Sequence, residues 1–190
     1  MADFKVFCLE GQWFDDDLEA PATLRGVLEL LKSWGRIDYI YRDVSTVAEF
    51  ERYAARWASE YAQYKMAYFA SHGDAGQVWL SDDASVPLER LGDLLEGRCA
   101  GRLIHLGGCS TLSIRPAAIR DFLTATGARA VCGYTTDVDT IEAAALEMLL
   151  MHELACKTKL GNALNALEDH RYYPGLRNAL GFEIWTPGGR

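Results

Sequence analysis

Leu103-Ile104-His105-Leu106-Gly107-Gly108-Cys109-Ser110-Thr111 decides the reading of this chain, together with Met66-Ala67-Tyr68-Phe69-Ala70-Ser71-His72-Gly73. Each stretch begins as a short apolar run, the pattern of a strand buried on both faces of a parallel sheet. Each then breaks at glycine, and the break carries a reactive side chain: His72 in one case, Cys109 in the other. In open α/β sheets ligands bind outside the carboxyl ends of the strands. The two segments therefore predict a thiol and an imidazole at one sheet edge, the pairing of a nucleophile with its base.

Outward from these segments, strand and helix patterns alternate with short connections. Phe4 to Leu9 reads as a first strand, and Pro21 opens a helix with Leu24, Val27, Leu28, Leu31 and Trp34 on one face, stopped at Gly35. Ile37 to Tyr41 is a second strand, and Thr46 with Glu49 makes a capping box for a helix burying Val47, Phe50, Ala54, Trp57 and Tyr61. A ribbon at Gln77 to Leu80 and a Pro87-Leu88 helix separate His72 from the cysteine strand. Pro116 opens the next helix, Ala128 to Tyr134 is another strand, and two further helices lead to a short strand at Phe182 to Trp185. This rhythm predicts an α/β fold in a single domain spanning residues 1–190. It is a doubly wound, mainly parallel sheet of about six strands with helices on both faces.

Composition narrows the function classes. A chain of 190 residues that is 49% apolar can bury one substantial core. The net charge of −8, with arginines scattered along the chain, gives no footprint for nucleic acid or an anionic membrane, so neither is expected as a partner. Five cysteines, Cys8, Cys99, Cys109, Cys132 and Cys156, form no CxxC pair, the usage of a reduced cytosol. No apolar stretch approaches the roughly eighteen residues of a membrane span, and a cytoplasmic protein is expected. There is no GxGxxG and no P-loop, and no cofactor is expected.

The two motifs resemble those of the caspase-like cysteine peptidases, and within them the CHAT branch that includes separase. The family's apolar strand ending in His-Gly is matched by Tyr68-Phe69-Ala70-Ser71-His72-Gly73. Its strand ending in a small residue, Cys, any residue and Thr is matched by Leu106-Gly107-Gly108-Cys109-Ser110-Thr111. Gln77 to Leu80 with Val86 to Leu91 is similar to the family's ribbon-then-helix insert, and Thr126 to Tyr134 resembles its "GARAVVG" strand. The likeness spans roughly residues 3 to 168. It implies a caspase-like fold and an endopeptidase acting on a protein or peptide substrate. A gating protein or small-molecule ligand is expected as a second partner, and by analogy with multi-gene defence systems a role in bacterial stress or anti-phage response. The alternatives are a catalytically silent interaction module of the same fold and a small-molecule cysteine hydrolase.

Elementary chemistry gives the roles. A free thiol is only a few per cent thiolate at neutral pH, so His72 is expected to take the Cys109 proton and later return it to the leaving amine. The tetrahedral oxyanion needs backbone donors about 3 Å away, and the N–H groups of Gly73 and Cys109 are the candidates. Glycines at 73, 107 and 108 allow close approach of a substrate backbone.

Two loops at the same edge are acidic: Glu10-Gly11-Gln12-Trp13-Phe14-Asp15-Asp16-Asp17 and Thr135-Thr136-Asp137-Val138-Asp139. In caspases the first carries a basic residue that holds aspartate at P1, the position before the scissile bond. Its acidity here argues against an aspartate pocket. The separase-like and metacaspase-like resemblance implies a basic P1 received by an acid, with Asp137 at the matching position and Glu10, Asp15, Asp16 and Asp17 in support. Asp139 with Glu142 reads as a capping box. His152-Glu153-Leu154-Ala155-Cys156 resembles a zinc helix but has no third ligand, and no metal is expected. Its helix is read as turning Ile141, Ala145, Met148, His152 and Ala155 inward, with His152 packed and Cys156 in the core. His105 is expected to be a hydrogen-bonded core residue.

Overall fold

The computed structural model describes residues 3–14, 19 and 23–189. Its centre is a six-stranded sheet built from β1 (Phe4–Glu10), β2 (Ile37–Asp43), β3 (Met66–Ala70), β7 (Leu103–Leu106), β8 (Ala130–Tyr134) and β9 (Phe182–Trp185), in the spatial order β2-β1-β3-β7-β8-β9. All neighbours are parallel except β8 and β9, which pair antiparallel from Val131↔Trp185 to Tyr134↔Phe182. β3 and β8 are buried at every position, as their unbroken apolar runs predict. A separate three-stranded ribbon, β4 (His72–Asp74), β5 (Gln77–Ser81) and β6 (Ala84–Pro87), follows β3 directly.

Seven helices among the described residues cover the two faces. α2 (Val47–Glu60), α3 (Leu88–Leu94) and α4 (Pro116–Thr126) pack Phe50, Trp57, Leu91, Ile119 and Phe122 against Phe7, Phe69, Ile104 and Val131. α1 (Arg25–Ser33), α5 (Thr140–Cys156), α6 (Leu160–Glu168) and α7 (Tyr173–Ala179) cover the opposite face, with Leu28, Leu146, Leu150, Ala163 and Tyr173 on Val6, Tyr68, Ala130 and Cys132. Alternation along each strand sends one set of side chains to each core. The result is a mixed α/β fold with helices on both faces of a mainly parallel sheet, the doubly wound arrangement expected from the pattern. None of the described helices is long and apolar enough to cross a membrane.

Local signals act as read in several places. Thr46 caps α2, its hydroxyl accepting the Glu49 N–H at 3.3 Å, and the Asp139 carboxylate caps α5 by accepting from Ile141 (2.9 Å) and Glu142 (3.1 Å). Three readings need correction. Three helices, not two, lie between β8 and β9. The first helix starts at Arg25, and the Pro21 expected to open it lies outside the described residues. α5 turns inward on Ala143, Leu146, Glu147, Leu150, Met151 and Leu154, whereas Ile141 is 77% exposed, His152 half-buried and Cys156 exposed. The helix is apolar nearly all round, so periodicity could not choose its inner face.

The chain runs from β1 outward to β2, then crosses back to place β3 on the other side of β1. That reversal opens a crevice at the carboxyl ends of β1 and β3, the topological switch point where ligands of such sheets sit. The loop after β1 and the His72 segment after β3 both enter it, and β7, next to β3, delivers Cys109.

Candidate active site

Backbone packing creates the site. After β7 the chain passes through Gly107 and Gly108, and a Cβ on Gly108 would lie 2.8 Å from Gly73 Cα and 2.9 Å from the His72 carbonyl oxygen. A Cβ on Gly73 would meet Cys109 O at 2.6 Å and Gly108 C at 2.8 Å. The His-Gly and Gly-Gly-Cys segments therefore rest main chain on main chain, which only glycine permits. Thr111, fully buried, locks the turn by donating to Gly108 O at 3.0 Å. Ser110, next to the thiol, has φ of +53°, the left-handed conformation that costs a non-glycine residue energy and recurs at functional turns. Its N–H is held by Thr136 O at 2.9 Å, tying the cysteine turn to the loop after β8.

His72 and Cys109 line the same cavity, of about 170 Å³, with Trp13, Phe14, Leu24 and Val138 among its walls. The Cys109 sulfur is half-buried and accepts the Val138 N–H at 3.4 Å, a donor on the atom that would carry thiolate charge. The Cys109 N–H is taken by no backbone carbonyl among the described residues, so it stays available to a ligand oxygen. Nε2 of His72 lies 2.7 Å from the carbonyl oxygen of Trp13. A carbonyl only accepts, so Nε2 carries the proton and Nδ1 is the basic nitrogen. The Trp13 indole stands edge-on to the imidazole, ring centres 5.2 Å apart.

The acids expected around the dyad separate into different environments. Glu10 is not at the cavity surface but 2% exposed. Its Oε1 accepts from Trp13 Nε1 (2.6 Å) and Leu24 N (2.7 Å), and its Oε2 from the hydroxyls of Thr23 (2.7 Å) and Tyr41 (2.5 Å). Those oxygens are committed to the fold, which removes Glu10 from the substrate-binding set. Burial, with the Asp43 and Glu10 carboxylates alongside, pushes the Tyr41 phenol pKa far up, so it remains a donor. Asp137 is exposed, accepts the Ser110 hydroxyl at 2.8 Å, and stands beside the cysteine turn rather than among the cavity walls. Asp15, Asp16 and Asp17 lie outside the described residues.

Sequence reading missed Glu147, which is 1% exposed and reaches the cavity from α5. Its Oε1 accepts from Tyr134 (2.9 Å) and pairs with His105 Nε2 (2.7 Å), and the Tyr68 hydroxyl donates to Oε2. The available signal was a lone carboxylate in the apolar run from Ala143 to Met151, since a buried acid needs partners. His105 is the core histidine expected, fully buried, with Cys132 Sγ 3.3 Å from Nδ1. Burial disfavours its charged form, but the Cys132 sulfur and the Glu147 carboxylate outweigh this and push its pKa up to about 10.

A folded-state pKa above the free value stabilises the fold below the free value. That stability is lost as pH rises through the folded one. The fold is therefore expected to lose stability from about pH 6.5 to about pH 10 in excess of a His105→Phe variant, measured by urea denaturation. Parallel pH curves for the two proteins would contradict the ion pair. The exposed Cys156 thiol lies 3.8 Å from His152 Nε2, a solvent-facing pair rather than the packed core expected.

The chain belongs to a family of unknown function, DUF6642, whose match covers residues 3–185. No curated protein matches it.

Proposed function

We propose that this chain is a cysteine endopeptidase of the caspase-like, CHAT type, using Cys109 as nucleophile and His72 as base. The observation that carries the reading is the convergence of both side chains on one cavity at the switch point, with the imidazole held in a defined tautomer by the Trp13 carbonyl. In the proposed cycle the Cys109 thiol gives its proton to Nδ1 of His72 and the sulfur attacks the scissile carbonyl. The N–H groups of Cys109 and Gly73 serve the oxyanion. The imidazolium then protonates the leaving amine, and water hydrolyses the thioester with His72 again as base. Throughout, Nε2–H stays on Trp13 O, a bond that strengthens when the ring is charged.

The substrate is a protein or peptide cleaved after a basic residue, and activity is gated by an activating protein or ligand. One carboxylate supports the basic preference, Asp137 beside the cysteine turn; Glu147 lines the cavity, but its oxygens are already taken by Tyr68, Tyr134 and His105. An acidic P1 would meet like charge, a discrimination of several kcal/mol, on the order of that seen at interfaces. A positional-scanning peptide library is expected to give Arg or Lys at P1, and Asp137→Asn to weaken that preference. Selection of aspartate would remove the basic pocket from the reading. Peptide-based thiol-reactive probes test the enzyme itself: labelling confined to Cys109 supports a peptidase. Turnover of small esters with no peptide cleavage would transfer the site to a small-molecule hydrolase.

A further inference from the structure

We infer that Glu10 and Trp13 form a buried clamp that sets the tautomer and position of His72, making Glu10 a positioning residue for the base. The inference rests on the dyad reading above. It starts from an acid that has no cationic partner among the described residues yet is almost completely buried at the end of β1. Its carboxylate gathers donors from three separate elements: Trp13 in the loop after β1, Thr23 and Leu24 at the entry to α1, and Tyr41 on β2. A buried carboxylate is costly unless its lone pairs are used, and here all four contacts use them. Those contacts hold Trp13 on one side and Thr23 and Leu24 on the other, where the chain leaves β1 and enters α1 at the switch point.

Among the anchored residues, Trp13 meets His72 in two ways. The Trp13 carbonyl takes Nε2–H at 2.7 Å and the indole edge packs on the imidazole, while the indole N–H returns to Glu10 at 2.6 Å. The carboxylate thus acts on the imidazole through Trp13. With Nε2 holding its proton, Nδ1 is the ring nitrogen able to take the thiol proton. If the loop is released, the neutral ring can protonate at either nitrogen, and the fraction with a basic Nδ1 falls. A displacement near 1 Å at this ring is large on the scale of catalytic geometry.

Trp13→Phe keeps an aromatic ring and the carbonyl but cuts the link to Glu10. Glu10→Leu removes the acceptor, and Glu10→Gln keeps an amide oxygen able to accept both the Trp13 and Leu24 N–H groups. Long-range ¹H–¹⁵N spectra of the histidine rings read the tautomer directly, without substrate. His72 is expected as the Nε2–H form in the parent protein, as a mixture in Trp13→Phe and Glu10→Leu, and restored in Glu10→Gln. The buried His105 signals report that each variant is folded. Iodoacetamide alkylation of Cys109 near neutral pH should slow roughly 10-fold in the two disrupting variants and recover most of its rate in Glu10→Gln. An unchanged His72 tautomer in folded Trp13→Phe overturns the clamp. Equal alkylation rates in the parent and His72→Ala would instead overturn the dyad, so the two failures are distinct.

Discussion

Cys109→Ala is expected to abolish peptide cleavage, a loss of at least about 10³-fold, with the fold intact. The substitution removes only the sulfur from a half-buried position, and the Val138 N–H it releases sits at the cavity where water can replace it. His72→Ala should lose most of the rate as well, because the thiol then has no base and the leaving amine no acid. The double variant should be scarcely worse than either single one, since residues acting as a unit are not additive. The measurement is hydrolysis of a basic-P1 peptide by the activated protein, with circular dichroism confirming the fold. Retained cleavage by Cys109→Ala would falsify the mechanism outright.

Gly73→Ala carries the largest expected structural effect. The added Cβ would stand 2.3 Å from Thr111 Oγ1, 2.6 Å from Cys109 O and 2.8 Å from Gly108 C. Two of those atoms are main chain and cannot rotate away, and the Thr111 hydroxyl is buried and bonded to Gly108 O. The segments carrying His72 and Cys109 must separate or strain, at a cost of about 3 kcal/mol. Gly161→Ala is the matched control. It lies in α6 with nothing within 4 Å of its Cβ, so it should be neutral or raise stability by up to about 1 kcal/mol through helix propensity. Urea denaturation of both variants decides: equal stability for Gly73→Ala and the parent would mean that the two segments do not rest on each other.

The strands that deliver His72 and Cys109 were legible because a buried parallel strand must be apolar at consecutive positions. Met66–Ala70 and Leu103–Leu106 therefore announced themselves as neighbours of the same kind. The caps at Thr46 and Asp139 were legible because capping is local chemistry, complete within three residues. The inner face of α5 was not, because an apolar helix packed on a sheet and on other helices leaves no polar stripe to mark the outside. Glu10 was misread for a related reason. In a loop of four acids, composition makes every carboxylate look solvated, and the donors that bury Glu10 include Tyr41, thirty-one residues on.

The sequence by itself determined the layers, the sheet edge and the pair of side chains that end there, since hydrophobic period and glycine breaks act within a few residues of each position. Only the tertiary structure decided which nitrogen of His72 carries the proton and which carboxylates are spent on the fold. Each of those depends on contacts between segments far apart in the chain: Trp13 with His72, Glu147 with His105, and Glu10 with Tyr41. A carboxylate or an imidazole has the same composition and the same neighbours in sequence whichever partner it meets. Its role is set by burial and donors that exist only once β1, β3 and β7 lie side by side.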